Sequence, residues 1–281
     1  MERTRIALVQ MQSELGMLEK NIQKIEGYID RAADAGVDII CFPEICLQGY
    51  SRGEAKAMAI DVPGEFTGRL GGAARRGGIT ALVGLAEASG RENPYITQLV
   101  LFPDGSLGKY RKTHLGKSET AHFTPGDELP VFKTDKAVFG IQICWDLHFP
   151  EVTTILSLKG AEIIFSPHAS PVIVGDRRGI WMKYMAARAY DNSVFVAACN
   201  LVGGDGAGRE YCGGALVIDP RGNSAAESFG SGEGMLVADL DPDIINTIRM
   251  KKSKSMRDSF FLDCRRPELY GDLVGKATVR N

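Results

Sequence analysis

The sequence predicts an α/β layered fold, and three observations carry that prediction. Short apolar, β-branched runs alternate with amphipathic helical stretches from the first residue almost to the last. No Ser/Pro-rich linker, repeat or low-complexity block separates them, so the 281 residues read as one large domain. Several strands also follow one another through short turns, so the sheet is expected to be mixed.

The elements follow in order. Arg5–Met11 (RIALVQM) reads as a strand. Leu15, Leu18, Ile22, Ile25, Ile29 and Ala32 then recur at spacings of three and four, which puts one apolar stripe on a helix that Gly36 ends. Val37–Phe42 (VDIICF) is almost wholly apolar and closes on Pro43, as expected of a strand covered on both faces. A helix over Phe66–Arg76 precedes strands at Ile79–Ala88 and Thr97–Phe102, and Pro103-Asp104-Gly105 turns the chain into Leu107–Lys112. Strand Lys136–Ile143, helix Glu151–Lys159, strand Glu162–Ser166, helix Asp176–Tyr190 and strand Ser193–Cys199 follow. Gly214–Asp219, Met235–Asp241 and a helix from Pro242 to about Lys251 complete the body, with Pro242 suited to a first helical turn. The segment 252–281 has little regular pattern and is expected to be a tail packing on the body or on a partner subunit. The run MKKSKSMR (Met250–Arg257) reads as a solvated helix end.

Composition excludes several functions. The chain is 44% hydrophobic and 24% charged, ordinary for a globular protein. Its 33 Lys and Arg against 35 Asp and Glu leave a net charge of -2, with no field to gather nucleic acid or anionic lipid. The six cysteines, at 41, 46, 144, 199, 212 and 264, form no C-x2-C pair and read as reduced thiols. MERTRIALVQMQSE offers a strand-like run rather than a signal core, and no stretch approaches 18 apolar residues, so a soluble, cytoplasmic protein without membrane contact is expected. Four histidines without H-x3-H spacing give no metal site, and the glycine clusters do not form a P-loop. No cofactor is expected.

Ligands of α/β folds bind at the carboxyl ends of strands, which focuses attention on three polar residues. Glu44 follows VDIICFP, Lys112 closes LGKYRK, and Cys144 follows AVFGIQI. Each alone has an ordinary structural reading: a helix-capping glutamate, a solvated lysine, a small core thiol. Together they form a chemical set. Cys144, between an apolar strand and a predicted helix, sits where a sharp turn would hold a thiol out of the sheet beside free backbone N–H groups. A thiol is mostly protonated at neutral pH and needs a base or a cation to attack a carbonyl. Glu44 and Lys112 can supply these. A Cys/His arrangement with His148, His114 or His168 is equally open on composition alone.

The segments FPEICLQGY (Phe42–Tyr50), RKTHL (Arg111–Leu115) and ICWDLHFPE (Ile143–Glu151) resemble, in order and spacing, the Glu, Lys and Cys motifs of the nitrilase superfamily of carbon–nitrogen hydrolases. Glu119 before HFTPGDE, Arg188-Ala189 before DNSVFVAACN, GGALVIDPRG and RRPELY extend the resemblance over essentially the whole chain. It implies a four-layer αββα sandwich, with two mixed β-sheets between helical layers, and a two-fold homodimer. It also implies Cys144 as nucleophile, Glu44 as general base and Lys112 as the positive group beside the oxyanion, with the backbone N–H of Trp145 a second donor and an acyl-thioester on Cys144 as the intermediate. Glu119, seven positions after Lys112, resembles a further glutamate that positions substrate or water. His148 stands where many amidases of the family carry another residue and is a candidate for substrate contact, against a helix-start histidine bonded to backbone, and His168 and Arg178 in the loop SPHASPVIVGDRRG (Ser166–Gly179) are further candidates. Trp181 and Tyr184 read as core or dimer packing. The ICWD-x-x-FPE run ranks a small amide or N-carbamoyl (ureido) amine above a nitrile as substrate; a nitrilase proper and a catalytically silent binding protein are the alternatives.

Overall fold

The computed structural model describes residues 1–250 and 260–275. Residues 251–257 of the basic run expected to be solvated lie outside them.

The first half of the chain forms β1 (Thr4–Gln10), α1 (Leu18–Asp34), β2 (Ile39–Cys41), α2 (Ala55–Met58), α3 (Glu65–Gly77), β3 (Thr80–Glu87), β4 (Tyr95–Leu101) and β5 (Leu107–Arg111). The second half forms β6 (Val131–Lys133), β7 (Val138–Ile141), α4 (Pro150–Leu158), β8 (Ile163–His168), α5 (Arg177–Asn192), β9 (Phe195–Asn200), β10 (Val202–Gly204), β11 (Glu210–Cys212), β12 (Ala215–Ile218), β13 (Ser224–Ser228), β14 (Gly234–Leu240) and α6 (Pro242–Arg249). A short α7 (Gly271–Val274) follows.

Two six-stranded mixed sheets result, ordered β14-β1-β2-β3-β4-β5 and β13-β12-β9-β8-β7-β6. The pairing sense repeats: each sheet reads antiparallel, parallel, parallel, antiparallel, antiparallel, from β14 in the first and from β6 in the second. β7 thus occupies in its sheet the place β1 occupies in the other, and β8 the place of β2.

Side-chain alternation explains the layering. Ile6 and Leu8 of β1 pack with Phe139 and Ile141 of β7 and with Ile163 and Phe165 of β8 in a core between the sheets. Ala7 and Val9 point the other way, onto the stripe Ile22, Ile25, Ile29 and Ala32 of α1 and onto Leu70 and Ala73 of α3. Ile164, Val196 and Ala198 meet Leu156 of α4 and Trp181 and Met185 of α5 on the outer face of the second sheet. Helix, sheet, sheet, helix is the expected sandwich. Each fully buried isoleucine of α1 stabilises this packing by roughly 1.5–3 kcal/mol.

The strand expected over 37–42 narrows to β2. Its flanks still bond to neighbours, Asp38 N–H to Arg5 O at 2.8 Å and Phe42 N–H to Leu82 O at 2.9 Å. The hairpin β10–β11 and the edge strands β6 and β13 were not anticipated. Within the unpatterned tail, Phe261 packs at a tilt against Tyr190 of α5, with ring centroids 5.4 Å apart.

Candidate active site

The three strand-end residues converge. Glu44 lies just beyond β2 on a tight loop laid across β3. A Cβ on Gly84 would fall 2.3 Å from Pro43 O and 2.6 Å from Ile45 N, so only glycine lets the loop approach this closely. Gln98 donates to Phe42 O at 3.0 Å and holds the loop from β4.

Lys112 follows β5, and its N–H to Ile96 O bond at 2.8 Å carries the pairing one residue further. With a period of two, Tyr110 and Lys112 face inward while Lys109 and Arg111 face out. Gly126 N–H donates to Lys112 O at 2.8 Å, and a Cβ on that glycine would sit 2.4 Å from Arg111 O. The TPG segment can therefore clamp the end of β5.

Cys144 opens a 3₁₀ turn, Cys144–His148, with φ of +46°. A left-handed, non-glycine residue costs on the order of 1–3 kcal/mol and persists only when its surroundings hold it. Asp146 does much of that holding. Its Oδ2 accepts from Ile143 N–H at 2.9 Å and from the Tyr110 hydroxyl at 2.7 Å, and its Oδ1 accepts from His114 N–H at 2.8 Å and from the Thr113 hydroxyl at 3.1 Å. One buried carboxylate thereby ties the cysteine turn to the segment after Lys112. The backbone N–H of Trp145 falls in the leading turn of that helix, where amides have no intrahelical acceptor.

The Lys112 ammonium, only 1% exposed, donates to Glu44 Oε1 at 2.8 Å and to Glu119 Oε1 at 2.9 Å. Glu119 is held on every side: Oε1 also accepts from the Tyr50 hydroxyl at 2.7 Å, and Oε2 accepts from Gly116 N–H at 2.6 Å. Burial pushes the Glu44 carboxyl up, and although Lys112 opposes it, the value rises to about 7. Burial works against the Lys112 ammonium too, but Glu44, Cys144 and Glu119 outweigh it and the lysine is held charged. Burial and then Glu44 push the Cys144 thiol up to about 12, against the pull of Lys112. Lysine as ammonium, cysteine as thiol and glutamate near its midpoint is the resting set at neutral pH.

These residues open on a cavity of about 720 Å³ whose wall includes Lys112, Glu119, Cys144, Trp145, His148 and His168. Trp145 stands at its rim with its side chain 43% exposed. His148 is sandwiched between Trp145 and Tyr184, both at 4.8 Å, and burial, followed by Arg188 and Arg177, lowers its pKa. His168 is buried with Nε2 3.0 Å from Ser166 Oγ, and burial and then Arg177 depress it well below the ordinary imidazole range. His114 is outside the cavity wall, stacked on Phe149 at 3.9 Å with Nδ1 3.3 Å from Asp146.

Two expectations need correction. Arg178 does not reach the cavity but pairs at the surface with Glu227 at 3.0 Å; its neighbour Arg177 lines the wall instead. Successive helical residues point about 100° apart, and α5 begins at Arg177, a phase the loop sequence does not reveal. Trp181 is core and Tyr184 packs against the same core, as expected, but Tyr184 also lines the cavity, a place the packing reading did not give it. Asp146 and Tyr50 were also not anticipated as site residues, although both lie inside the motifs that identified Cys144 and Glu44.

The carbon-nitrogen hydrolase family model matches residues 5–250. The chain belongs to the carbon–nitrogen hydrolase family. It is 32% identical over 271 residues to a nitrilase of Pyrococcus abyssi, covering 95% of this chain and 98% of that one. It is 31% identical over 259 residues to the omega-amidase NIT2 of Xenopus tropicalis, covering 89% and 92%. Among solved structures, an amidase from Nesterenkonia sp. AN1 superposes with a TM-score of 0.82 at 27% identity, covering 96% of this chain and 97% of that one; it shows covalent addition of the acetamide moiety of fluoroacetamide at its active site cysteine. This chain is accordingly an enzyme of the nitrilase superfamily, a carbon–nitrogen hydrolase similar to amidases.

Proposed function

We propose that Cys144 is the nucleophile, Glu44 the general base and acid, and Lys112 the oxyanion partner in hydrolysis of a small amide or N-carbamoyl amine. One observation carries this reading: a buried ammonium is shared by two carboxylates beside a cysteine held in a left-handed turn. Because the thiol rests protonated, Glu44 takes its proton as sulfur attacks the amide carbon, and no free thiolate is needed beforehand. The tetrahedral oxyanion lies against the Lys112 ammonium and the Trp145 N–H. As the C–N bond breaks, Glu44 returns the proton to the leaving nitrogen, so ammonia or an amine departs and a thioester remains on Cys144. Water, deprotonated by Glu44, then releases the acid and restores the thiol. Glu119, with each oxygen already bonded, fixes the position of Lys112 rather than exchanging protons itself. The amide reading is ranked above the nitrile one on the ICWD-x-x-FPE resemblance alone. We also propose a single domain acting as a homodimer, which rests on family resemblance, in the cytoplasm, which rests on the reading of the six cysteines as reduced thiols.

The test is direct. Intact-mass analysis after brief mixing with amides, ureido acids and nitriles is expected to show an acyl adduct that Cys144→Ala abolishes and Cys264→Ala retains. Equal loss of activity in the two variants would remove the role given to Cys144.

A further inference from the structure

Among the described residues, four buried side-chain nitrogen or oxygen atoms have no hydrogen-bond partner, and three belong to neighbouring side chains: His168 Nδ1 and Arg177 Nε in one cavity wall, and Trp181 Nε1 in the core behind it. The His168 and Trp181 rings are 4.8 Å apart, and Arg177 Cζ lies 5.6 Å from the centre of the Trp181 ring. Arg177 is 7% exposed, lines the cavity with Cys144, and has no carboxylate ion-pair partner among the described residues. A guanidinium keeps its proton at any working pH, is a donor only, and presents a planar fork suited to a carboxylate. Arg177 hydrogen-bonds the Tyr184 hydroxyl but has no counter-charge among the described residues, which is costly for a buried cation, whereas the buried Glu44, Glu87 and Lys112 are ion-paired. Glu119, the carboxylate of the same wall, already accepts from Lys112, Tyr50 and Gly116. Arg177 shares this cavity with Cys144, His148 and His168. Lys117, exposed at the rim of the same cavity, adds positive charge.

We propose that the substrate carries a carboxylate that docks on the Arg177 guanidinium while its amide or ureido carbon lies against Cys144 Sγ. The proposal rests on the hydrolase reading above and narrows it to anionic substrates. Arg177 then does for the carboxylate what Lys112 does for the oxyanion, with the neutral His168 in the wall beside it and Trp181 in the core behind. A neutral amide of the same length leaves the guanidinium unpaired, and a site built to hydrogen-bond one group rejects an analogue lacking it by large factors.

Two arms test this. The first measures ammonia release from succinamate and glutaramate against butyramide and valeramide, pairs that differ in a terminal carboxylate versus a methyl group. The ratio of kcat/KM, anionic over neutral, is expected to be on the order of 10²-fold or more in the wild type. It should fall towards one in Arg177→Gln and recover in part in Arg177→Lys, which keeps the charge but not the fork. The second arm measures calorimetric binding of glutaramate and valeramide to Cys144→Ala and to Cys144→Ala/Arg177→Gln, with circular dichroism confirming that both are folded. Glutaramate is expected to bind Cys144→Ala tightly and to lose that preference in the double variant. A wild type that cleaves neutral amides as well as anionic ones, or equal binding of the two probes to Cys144→Ala, overturns the proposal and leaves the hydrolase reading intact. Failure of every amide to be cleaved, with glutaramate still bound through Arg177, would instead break the hydrolase reading.

Discussion

Two buried glutamates of the first sheet show how surroundings divide structure from chemistry. Glu87, at the end of β3, is 2% exposed and accepts from Thr97 at 2.7 Å, Lys109 at 2.6 Å and Arg111 at 2.6 Å. Burial pushes its pKa up, but the hydrogen bonds from Arg111, Lys109 and Thr97 win, and the carboxyl stays below its ordinary value. Glu44 is buried as deeply but has one cation, which it shares with Glu119, and its carboxyl rises to about 7. Both clusters draw on the same stretch of chain, since Lys109 and Arg111 leave one face of β5 and Lys112 the other. Two cations on one carboxylate fix a charge; one cation between two carboxylates leaves a proton free to move. Burial raises both carboxyls, and the ratio of cations to carboxylates decides whether that rise is offset.

The largest expected effect follows from removing that mobile proton. Glu44→Gln keeps the shape but cannot take the thiol proton, so kcat/KM is expected to fall about 10²–10⁴-fold, the usual share of general-base catalysis. In the wild type, the carboxylate form is the active one, so kcat/KM should rise with pH through a midpoint near 7 and level off above it. An acid limb near pH 4 would mean that Glu44 is as fixed as Glu87 and would erase the distinction between them. Next in size is Lys112→Met, which strands two buried carboxylates. Breaking a buried pair from one side costs about 3–5 kcal/mol. Chemical denaturation should show a loss of that order, and Lys112→Met/Glu44→Gln should regain part of it, because one of the stranded charges is gone. No recovery would mean that the pair does not interact as its geometry implies.

Much of this was legible in the chain. The stripe of α1 and the apolar runs of β1, β3 and β8 follow from spacing alone, because burying one face or both imposes a period. β13 (SAAES) was not legible: it is a mostly exposed edge strand of alanines and polar residues, held by pairing with β12 rather than by an apolar face. At the site, Glu44, Lys112 and Cys144 were visible because each stands where a strand ends. Asp146 was hidden because its partners, Tyr110, Thr113 and His114, lie more than thirty residues away. Arg177 was hidden for a smaller reason, one step of helical phase, which sent Arg178 to Glu227 and left Arg177 in the cavity.

The smallest effect is the one that isolates the structural half of the comparison. Glu87→Gln removes a fixed charge whose partners Lys109 and Arg111 are about one-third exposed and can turn to water, so the expected stability loss at neutral pH is only about 1–2 kcal/mol. Because the folded carboxyl titrates below its unfolded value, that contribution is present above the unfolded pKa, about 4.3, and is lost as pH falls through the folded one. Wild type and Glu87→Gln, compared by urea denaturation from pH 7 downwards, should therefore converge in acid, while the pH midpoint of activity stays near 7 in both. A shift of that midpoint in Glu87→Gln would show that the two carboxylate clusters are electrostatically joined across β5, and the outward cations would then have to be counted as part of the catalytic field.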